Sequence, residues 1–407
     1  MSSWTTCRLG DICRFQAGSA FPKKYQGMTQ GEIPFIKVSD MSYNANLVYI
    51  VSSTNWISKE LQLKIKAKTI PEGAVVFAKI GEAVKAERYR IITRPTCIDN
   101  NMMAAIATNV HQRYFRYLLE TVHLSSFIEG SALPYLRQAD LLKIEVSIPS
   151  LSEQRGIAAT LGALDDKIES NRRALNKAQD LLELYSISWE EGLPVSPLSD
   201  LATLEKSKVT PAKLSDDIVH HYSLPAYDNK EIPEKVSPKT IKSAKTVIAQ
   251  DSILVSRLNP RIDRTWWVEA DDNSINLCST EFACLSAPGS MDLAAVWLAV
   301  RNPSFLSEIK YRVTGTSGSH QRIRPNDLMT IEVPDFRKIT YKQKAAALLL
   351  LNNRTQLVKE TQKLESLRDA LLPELMSGRI RVPQAQEAIA EVIPEEDDEH
   401  ASKTSRG

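Results

Sequence analysis

The feature that most constrains the fold of this chain is an internal repeat. Aligned with itself at a shift of 189 residues (343 − 154), the sequence places Gln154 on Gln343 and Leu182 on Leu371, with further matches between them. Single matches between common residues occur by chance, but one shift held through a long segment does not. The chain is therefore predicted to contain two copies of one building block.

Shorter matches elsewhere occur at slightly different shifts, as loop insertions would produce. Residues 70–79 resemble residues 248–257, and residues 137–146 resemble residues 324–333. Each half is predicted to be a globular module of about 150 residues followed by one long helix. The predicted boundaries are a first module over 1–150, a helix over 151–191, a second module over 192–340, a helix over 341–380, and an acidic, disordered tail over 381–407.

The two repeated segments carry seam residues at alternating spacings of four and three, which is typical of coiled-coil helices. The seams are Ile157, Leu161, Leu164, Ile168, Asn171, Leu175, Ala178, Leu182 and Tyr185, and Leu350, Asn353, Leu357, Glu360, Leu364, Leu367 and Leu371. Asn171 and Glu360 are polar at equivalent positions, which favours one register. Ser152 is the expected N-cap of the first helix. We expect antiparallel helices, a pseudo-twofold axis and modules at opposite ends.

Both modules alternate short apolar runs with Gly, Pro, Asn and Asp, a pattern that predicts strands joined by turns. One helix interrupts the strands in each half, near residues 112–126 and 293–300. The predicted fold class is therefore α+β, with two related mixed modules separated by two long helices.

The composition is that of an ordinary globular protein, with 43% hydrophobic and 25% charged residues. The longest apolar run, residues 345–351, is too short to cross a bilayer, and the first ten residues lack a signal pattern, so we expect a cytoplasmic protein. The five cysteines show no zinc-binding spacing and are expected to be small buried hydrophobic residues.

The formal net charge is only +2, but the charge is unevenly distributed. Seven acidic residues lie between Glu387 and Glu399, and without them the charge would be +9 (2 + 7). A modest basic excess suits DNA binding, whereas a DNA-mimicking inhibitor would be acidic throughout.

Cationic and amide side chains recur at comparable loop positions in the two modules. Arg and Asn or Gln side chains can read base edges, while Lys and Ser chiefly hold phosphates. The candidate DNA-binding residues are Lys23, Lys24, Lys37, Ser39, Lys79, Arg88, Asn100, Asn101, Arg137 and Gln138 in the first module, and Arg257, Asn259, Arg261, Arg264, Ser319, His320, Gln321, Arg322 and Arg324 in the second. The segment 257–264, beside Trp266 and Trp267, carries the strongest signal.

Several motifs resemble those of the specificity subunits of bacterial type I restriction–modification systems. They lie at residues 9–12 (LGDI) with Gly18, 33–40 (IPFIKVSD), 77–81 (FAKIG), 148–155 (IPSLSEQR) and 164–168 (LDDKI), with echoes at 198–201, 333–334, 342–344 and 371–378. The Glu-Gln pair at 153–154, which opens a heptad helix after a strand ending in Pro, is the most specific of them. In the second copy Lys342 replaces the Glu.

The resemblance implies that each module is a target-recognition domain that reads one half of a bipartite double-stranded DNA target. The loops of the two modules differ, so we expect the target to be asymmetric. It also implies that two modification subunits dock on the chain and methylate adenine with S-adenosylmethionine, and that restriction subunits add cleavage that uses ATP and Mg²⁺.

This chain is expected to hold no catalytic site, cofactor or metal of its own, because the phosphate-binding loop and the methyltransferase motifs are missing. Two alternatives remain at this point. One is a non-catalytic specificity region related to that of a self-contained methylating nuclease, and the other is a coiled-coil scaffold that does not bind DNA.

Overall fold

The computed structural model describes residues 4–43, 45–130, 132–215, 218–271, 273–313 and 321–392. The chain divides into two compact units: unit 1 comprises Met1–Ser170 with Lys363–Gly407, and unit 2 comprises Asn171–Gln362. The boundary between the units falls inside both long helices, so each helix contributes residues to both.

The bounds of the secondary structure follow chain order. From the first module through the first long helix they are β1 Thr5–Arg8, α1 Leu9–Ile12, β2 Cys13–Ala17, β3 Ile33–Ile36, β4 Tyr49–Ile50, β5 Trp56–Ile57, α2 Lys59–Lys64, β6 Thr69–Ile70, β7 Val75–Ala78, β8 Arg90–Ile92, β9 Thr96–Ile98, β10 Met102–Ala107, α3 Gln112–Val122, α4 Gln138–Leu141, β11 Glu145–Ile148 and α5 Leu151–Ser188.

The remainder of the chain continues in the same way. Its elements are β12 Val195–Pro197, α6 Leu198–Leu201, β13 Thr203–Leu204, β14 Lys208–Val209, β15 Val219–Tyr222, α7 Leu224–Asp228, β16 Glu234–Val236, β17 Lys245–Val247, β18 Ser252–Ser256, β19 Thr265–Val268, β20 Asn276–Cys278, β21 Phe282–Ser286, α8 Ser290–Arg301, α9 Pro303–Tyr311, α10 Pro325–Met329, β22 Glu332–Pro334, α11 Tyr341–Ser377 and α12 Val382–Val392.

The sheets of the two units share their strand order except at the edges, where unit 1 has the additional strand β4 and unit 2 the additional strand β14. The order β2-β10-β7-β8-β4 in unit 1 corresponds to β13-β21-β18-β19 in unit 2, and β5-β3-β9-β6 corresponds to β16-β15-β20-β17-β14. In each unit the second sheet contains one parallel pair, β3 with β9 and β15 with β20. The predicted duplication of an α+β module is confirmed by this shared strand order.

The long helices pack differently in the two units. In unit 1 the seam residues Ile157, Leu161 and Leu164 are buried in one core with Leu364 and Leu371, as expected. In unit 2 the predicted seam of α11 is wrong at its beginning.

In that part of α11, Asn353 is exposed, whereas Ala347 and Leu351 are fully buried. The reason is that Ala347 and Leu351, four residues apart on one face of α11, are buried in the core that includes α8. This part of the helix therefore packs against a globular core and does not form a coiled-coil seam.

Two predicted boundaries also need correction. The hydroxyl of Ser150, not that of Ser152, accepts the backbone N–H of Glu153 at 3.3 Å and caps α5. The tail was predicted to be disordered from residue 381, yet residues 382–392 form α12, in which Ala385 is fully buried. Val382, Ala385 and Ile389 are apolar residues at helical spacing, which favours α12. The prediction of disorder gave more weight to the acidic residues around them. Residues 393–407 of the predicted tail lie outside the described residues.

The cysteines are free thiols. Cys13, Cys97, Cys278 and Cys284 are buried, and Cys7 is half-buried. Burial raises the pKa of the Cys13 thiol to about 12, so this side chain behaves as an apolar core residue. The expectation of small buried hydrophobic residues is confirmed for these four.

A buried polar network joins α3, α5 and α11 within unit 1. The carboxylate of Asp165, 1% exposed, accepts hydrogen bonds from Arg116 Nη1 at 3.0 Å, from the Tyr117 hydroxyl at 2.6 Å and from Arg368 Nη1 at 3.2 Å. Arg116 also pairs with Glu120 at 2.7 Å. Because these charges are removed from water, they are tolerated only in this matched arrangement, which holds both long helices against α3.

A histidine in unit 2 leads to a prediction about pH. Nδ1 of His221 lies 3.3 Å from the Glu234 carboxylate, while Nε2 is buried without a hydrogen-bond partner in the described structure. Burial, followed by the charge of Lys245, lowers the pKa of His221 below its ordinary 6.5. The folded protein thus prefers the neutral ring, and this stabilisation is complete above pH 6.5 and lost as the pH falls through the folded pKa.

We therefore expect the melting temperature of the wild-type chain to fall more between about pH 7 and pH 5 than that of His221→Gln. Thermal unfolding followed by circular dichroism measures this difference. The same pH dependence in both proteins would contradict the assignment.

Candidate nucleic-acid interface

In unit 1, three loops that carry candidate residues are joined by backbone hydrogen bonds. The N–H of Lys79, which follows β7, donates to the Asn101 carbonyl at 2.8 Å. The N–H of Leu136 donates to the Lys79 carbonyl at 2.9 Å. Gln138 Nε2 donates to the Phe15 carbonyl at 3.2 Å, which fixes the third loop beside β2. We call residues 79–81, 99–101 and 134–138 the unit 1 loop cluster.

Unit 2 repeats this hydrogen-bond pattern. The N–H of Arg257, which follows β18, donates to the Glu281 carbonyl at 2.8 Å, and the N–H of Ile323 donates to the Arg257 carbonyl at 3.0 Å. The bridge between Ile80 and Tyr135 has its counterpart between Leu258 and Arg322. We call residues 257–264, 279–281 and 321–324 the unit 2 loop cluster. Two different sets of side chains are thus displayed on one backbone frame.

Lys37 lies next to the unit 1 loop cluster. Its ammonium donates to Gln26 Oε1 at 2.7 Å and lowers the pKa of nearby Asp99, although burial is the larger effect and raises that pKa overall. The backbone N–H of Asp99 donates to the Ile36 carbonyl at 2.9 Å, so the strand end before Lys37 meets the loop that carries Asn101. Asn100 and Asn101 are both exposed there.

The other candidates of unit 1 are exposed, but they are spread more widely. Arg88 donates to the Ser42 hydroxyl at 2.7 Å, in the short helical turn that also contains exposed Ser39. Lys23 and Lys24 lie on another turn, and the Lys24 ammonium lies 5.0 Å from the centre of the Tyr25 ring. The structure places none of these four in the loop cluster itself.

Arg137 is inside the cluster and is already paired. Its guanidinium contacts Glu129 at 2.7 Å and the Tyr135 hydroxyl at 2.7 Å, and these contacts raise its pKa. The Arg137 side chain is 56% exposed, so it is accessible to a ligand even while it is paired with Glu129.

Within the segment 257–264, which carries the strongest sequence signal, Arg261 is exposed whereas Arg257 is bound to carbonyls of the protein itself. Arg257 Nε donates to the Ile323 carbonyl at 3.1 Å and Nη1 to the Thr280 carbonyl at 2.7 Å, and burial lowers its pKa. Arg257 therefore links the loops of the cluster, and its contact with DNA stays a prediction. Trp266 and Trp267 are each only 3% exposed and belong to the core.

The remaining candidate arginines of unit 2 fall into two groups. Arg264 forms two hydrogen bonds with the Asp228 carboxylate, at 2.7 and 2.9 Å, and Arg322 pairs with Glu281 at 2.9 Å. Arg261 and Arg324 are exposed on the cluster. The latter group is the better placed for contact with phosphates.

The last candidates of unit 2 are the residues around position 320. Asn259 has a positive φ of 47°, and its N–H donates to the Gln321 carbonyl at 2.9 Å, so both are part of the cluster frame. Gln321 Oε1 is buried without a hydrogen-bond partner in the described part of the chain. Ser319 and His320 lie outside the described residues.

Sequence reasoning missed the carboxylates of these loops. Glu281, Asp228 and Glu129 each bind an arginine that was counted as available for DNA. The repeat itself carried a usable signal, because Glu281 follows β20 where Asn101 follows β9. In the described ranges, no cluster of three or more metal-ligating side chains is found, and no helix is long and apolar enough to cross a membrane.

Comparison with known proteins finds a family model that is similar to the first part of the chain. Residues 1–179 match the family described as "Type I restriction modification DNA specificity domain". The MjaIX specificity subunit of a type I restriction enzyme from Methanocaldococcus jannaschii is 26% identical over 189 residues, covering 44% of this chain and 42% of that protein. The MjaVIII specificity subunit of the same organism is 25% identical over 182 residues, covering 42% and 41%. The match thus spans less than half the length of either relative.

A solved structure extends the likeness in fold. The S subunit of a type I restriction–modification system from M. genitalium has a TM-score of 0.62 at 14% identity, and the match covers 92% of this chain and 96% of that one. The predicted fold class, mixed helix and sheet with two long helices, is confirmed by this likeness and by α5 and α11. Residues 1–179 are thus similar to the type I restriction–modification DNA specificity domain, and the chain as a whole is similar in fold to a type I S subunit.

Proposed function

We propose that this chain is the DNA-binding specificity subunit of a type I restriction–modification complex. Each loop cluster contacts one half of a bipartite, asymmetric double-stranded target. The observation that carries the proposal is the repeated frame around Lys79 and Arg257, which holds different side chains in the two units. One scaffold with two sets of side chains is suited to reading two different half-sites.

In this proposal the chemistry belongs to partner subunits. Two modification subunits bind S-adenosylmethionine and methylate adenine, and restriction subunits use ATP and Mg²⁺ for translocation and cleavage. This chain is a non-catalytic subunit that binds no cofactor or metal and selects the site. The curated relatives are named specificity subunits, which supports this division of labour.

Several candidate arginines are already paired with carboxylates of the chain. The alternative function, a coiled-coil scaffold that does not bind DNA, is therefore tested directly. Protection of DNA by the purified complex, together with sequencing of N6-methyladenine in a host that carries the system, distinguishes the two functions. A protected, bipartite, methylated site supports recognition, while a complex that assembles without protecting DNA supports a scaffold.

Exposed Arg261 provides a residue-level prediction. We expect Arg261→Ala to weaken binding to all DNA sequences alike and to reduce the slope of log K against log salt concentration by about 0.9, the value for one lost phosphate contact. Binding is measured by fluorescence anisotropy at several salt concentrations. Arg8→Ala, at an exposed arginine in β1 outside both loop clusters, is the matched control. An unchanged slope for Arg261→Ala would remove this residue from the interface.

A further inference from the structure

Where the first module packs on α5, the module supplies the cations and the helix supplies the carboxylates. Arg113 of α3 pairs with Asp166 at 2.7 Å, and Arg116 of the same helix pairs with Asp165 at 3.0 Å. The second of these pairs is buried, so water screens its charges very little. The contact between module and helix in unit 1 is therefore basic on the module and acidic on α5.

The contact between the second module and α11 has the opposite polarity. Each of three ion pairs has its cation on α11 and its carboxylate on the module: Lys344 with Asp292 at 3.3 Å, Arg354 with Glu231 at 2.6 Å, and Lys359 with Glu269 at 3.0 Å. The side chains of Arg354 and Glu231 are only 13% and 17% exposed. Glu231 also has a positive φ of 57°, a conformation that its surroundings must hold in place.

The internal repeat places the two opposite charges at one position. Asp165 of α5 and Arg354 of α11 are equivalent at the shift that relates the helices (354 − 165 = 189). The most buried module-to-helix pair of those named in each unit thus occupies the same place, with its charges exchanged. The reversal does not extend to Lys344, because its counterpart Arg155 is also basic.

A difference in volume accompanies the difference in charge. Arg113 Nη2 donates to the Gly162 carbonyl at 2.8 Å, and a Cβ added at Gly162 would come 2.6 Å from the guanidinium carbon. The equivalent residue of α11 is Leu351 (351 − 162 = 189), which is fully buried in the core of unit 2. The helix α8, which follows β21 as α3 follows β10, needs no such space, because its buried residues 293–300 carry no charge. A leucine at Gly162 would displace the arginine, and a glycine at Leu351 would leave a cavity.

We propose that these positions match each module to its own helix. Gly162, Asp165 and Asp166 admit a module with basic contacts to α5, while Leu351 and Arg354 admit a module with acidic contacts to α11. The two modules are then not interchangeable in order, although they share a fold. What can be moved from one place in the chain to the other is a module together with the first turns of its helix. The proposal goes beyond DNA recognition and does not depend on it.

Exchange of charges in the full chain tests the polarity of the contact. Arg354→Asp and Glu231→Arg should each lower the melting temperature of unit 2 by about 6 °C or more, because each leaves like charges facing one another in a largely buried site. The double variant should regain most of this loss, because opposite charges face one another again. Gln356→Asp, which adds a carboxylate at an exposed position of α11, is the control and should change the melting temperature by about 2 °C or less. Differential scanning calorimetry measures all four variants.

A chain with the first module in both places tests the matching itself. Replacing residues 192–340 by a second copy of residues 1–150 brings the counterpart of Arg116 to Arg354, and the counterpart of Arg113 to Leu351. We expect the unit with the second copy to melt well below the unit with the first, or to show no cooperative transition. Giving α11 the residues of α5, through Leu351→Gly, Arg354→Asp and Thr355→Asp, should raise its melting temperature by about 6 °C or more. The same three substitutions in the natural chain should lower it.

Two results would overturn the proposal. One is a duplicated chain that melts no higher with the three substitutions than without them. The other is a double variant that is no more stable than Arg354→Asp alone. Neither measurement uses DNA, so a failure of the proposed recognition function is identified separately, by the protection experiment.

Discussion

Replacing Asp165 by alanine is expected to lower the free energy of unfolding by about 3–5 kcal/mol, the usual cost of breaking a buried ion pair from one side. The substitution leaves Arg116, whose side chain is 3% exposed, and Arg368 without their shared carboxylate. It also removes the acceptor of the Tyr117 hydroxyl. Urea denaturation followed by circular dichroism and tryptophan fluorescence measures the change.

The neighbouring residue gives a matched control for this effect. Asp166 is 56% exposed and pairs with Arg113 at 2.7 Å, so Asp166→Ala should cost about 1 kcal/mol or less. The two substitutions remove the same charge from adjacent positions of α5, and they differ in burial and in the number of partners that lose their acceptor. Equal losses of stability would show that the network around Asp165 does not hold the helices as described.

Exchanging the first module for that of a related specificity subunit is expected to change one half of the recognised DNA site and leave the other half unchanged. The reason is that each loop cluster is closed by hydrogen bonds within its own unit, such as Lys79 with Asn101 and Arg257 with Glu281. The original half-site should lose at least about a thousandfold in preference, the lower end of the range for specific over non-specific binding.

Methylation sequencing in cells that express the complex detects this change directly. The exchange covers residues 1–150, before α5 begins, so the long helices stay intact. The reciprocal exchange of residues 192–340 should change the other half-site alone. A change of both half-sites in either experiment would refute independent recognition by the two units.

Much of the architecture could be predicted because repetition and periodicity are visible in the residues themselves. The heptads of α5 and the matched strands β7 and β18 follow from local spacing, and both are confirmed. The beginning of α11 could not be predicted correctly, because the four adjacent leucines at 348–351 suit either a coiled-coil seam or a core-facing stripe. Tertiary packing against α8 decides between them.

The interface was less predictable than the fold for a related reason. An arginine suited to guanine is equally suited to a carboxylate or to backbone carbonyls, and its sequence neighbours do not show which it meets. Arg257 binds two carbonyls that are 23 and 66 residues distant along the chain, and Arg264 binds Asp228. These partners come together only after the strands have paired. DNA contact stays a prediction for all the candidate residues, and the exposed residues Arg261, Arg324 and Asn100 are the best placed for it.

The division of α5 and α11 between the units has a consequence for synthesis on the ribosome. Unit 2 is one continuous stretch, Asn171–Gln362, whereas unit 1 needs residues from both sides of that stretch. Asp165 emerges long before Arg368, and the face of Gly156 long before Val382. Unit 1 is thus the first to be translated and the last to be completed. The apolar seam of α5 in this unit stays uncovered until the residues after 362 have been synthesised. Chaperones that bind exposed apolar helices have their longest opportunity on this segment, and premature termination anywhere before residue 363 harms the N-terminal unit as well.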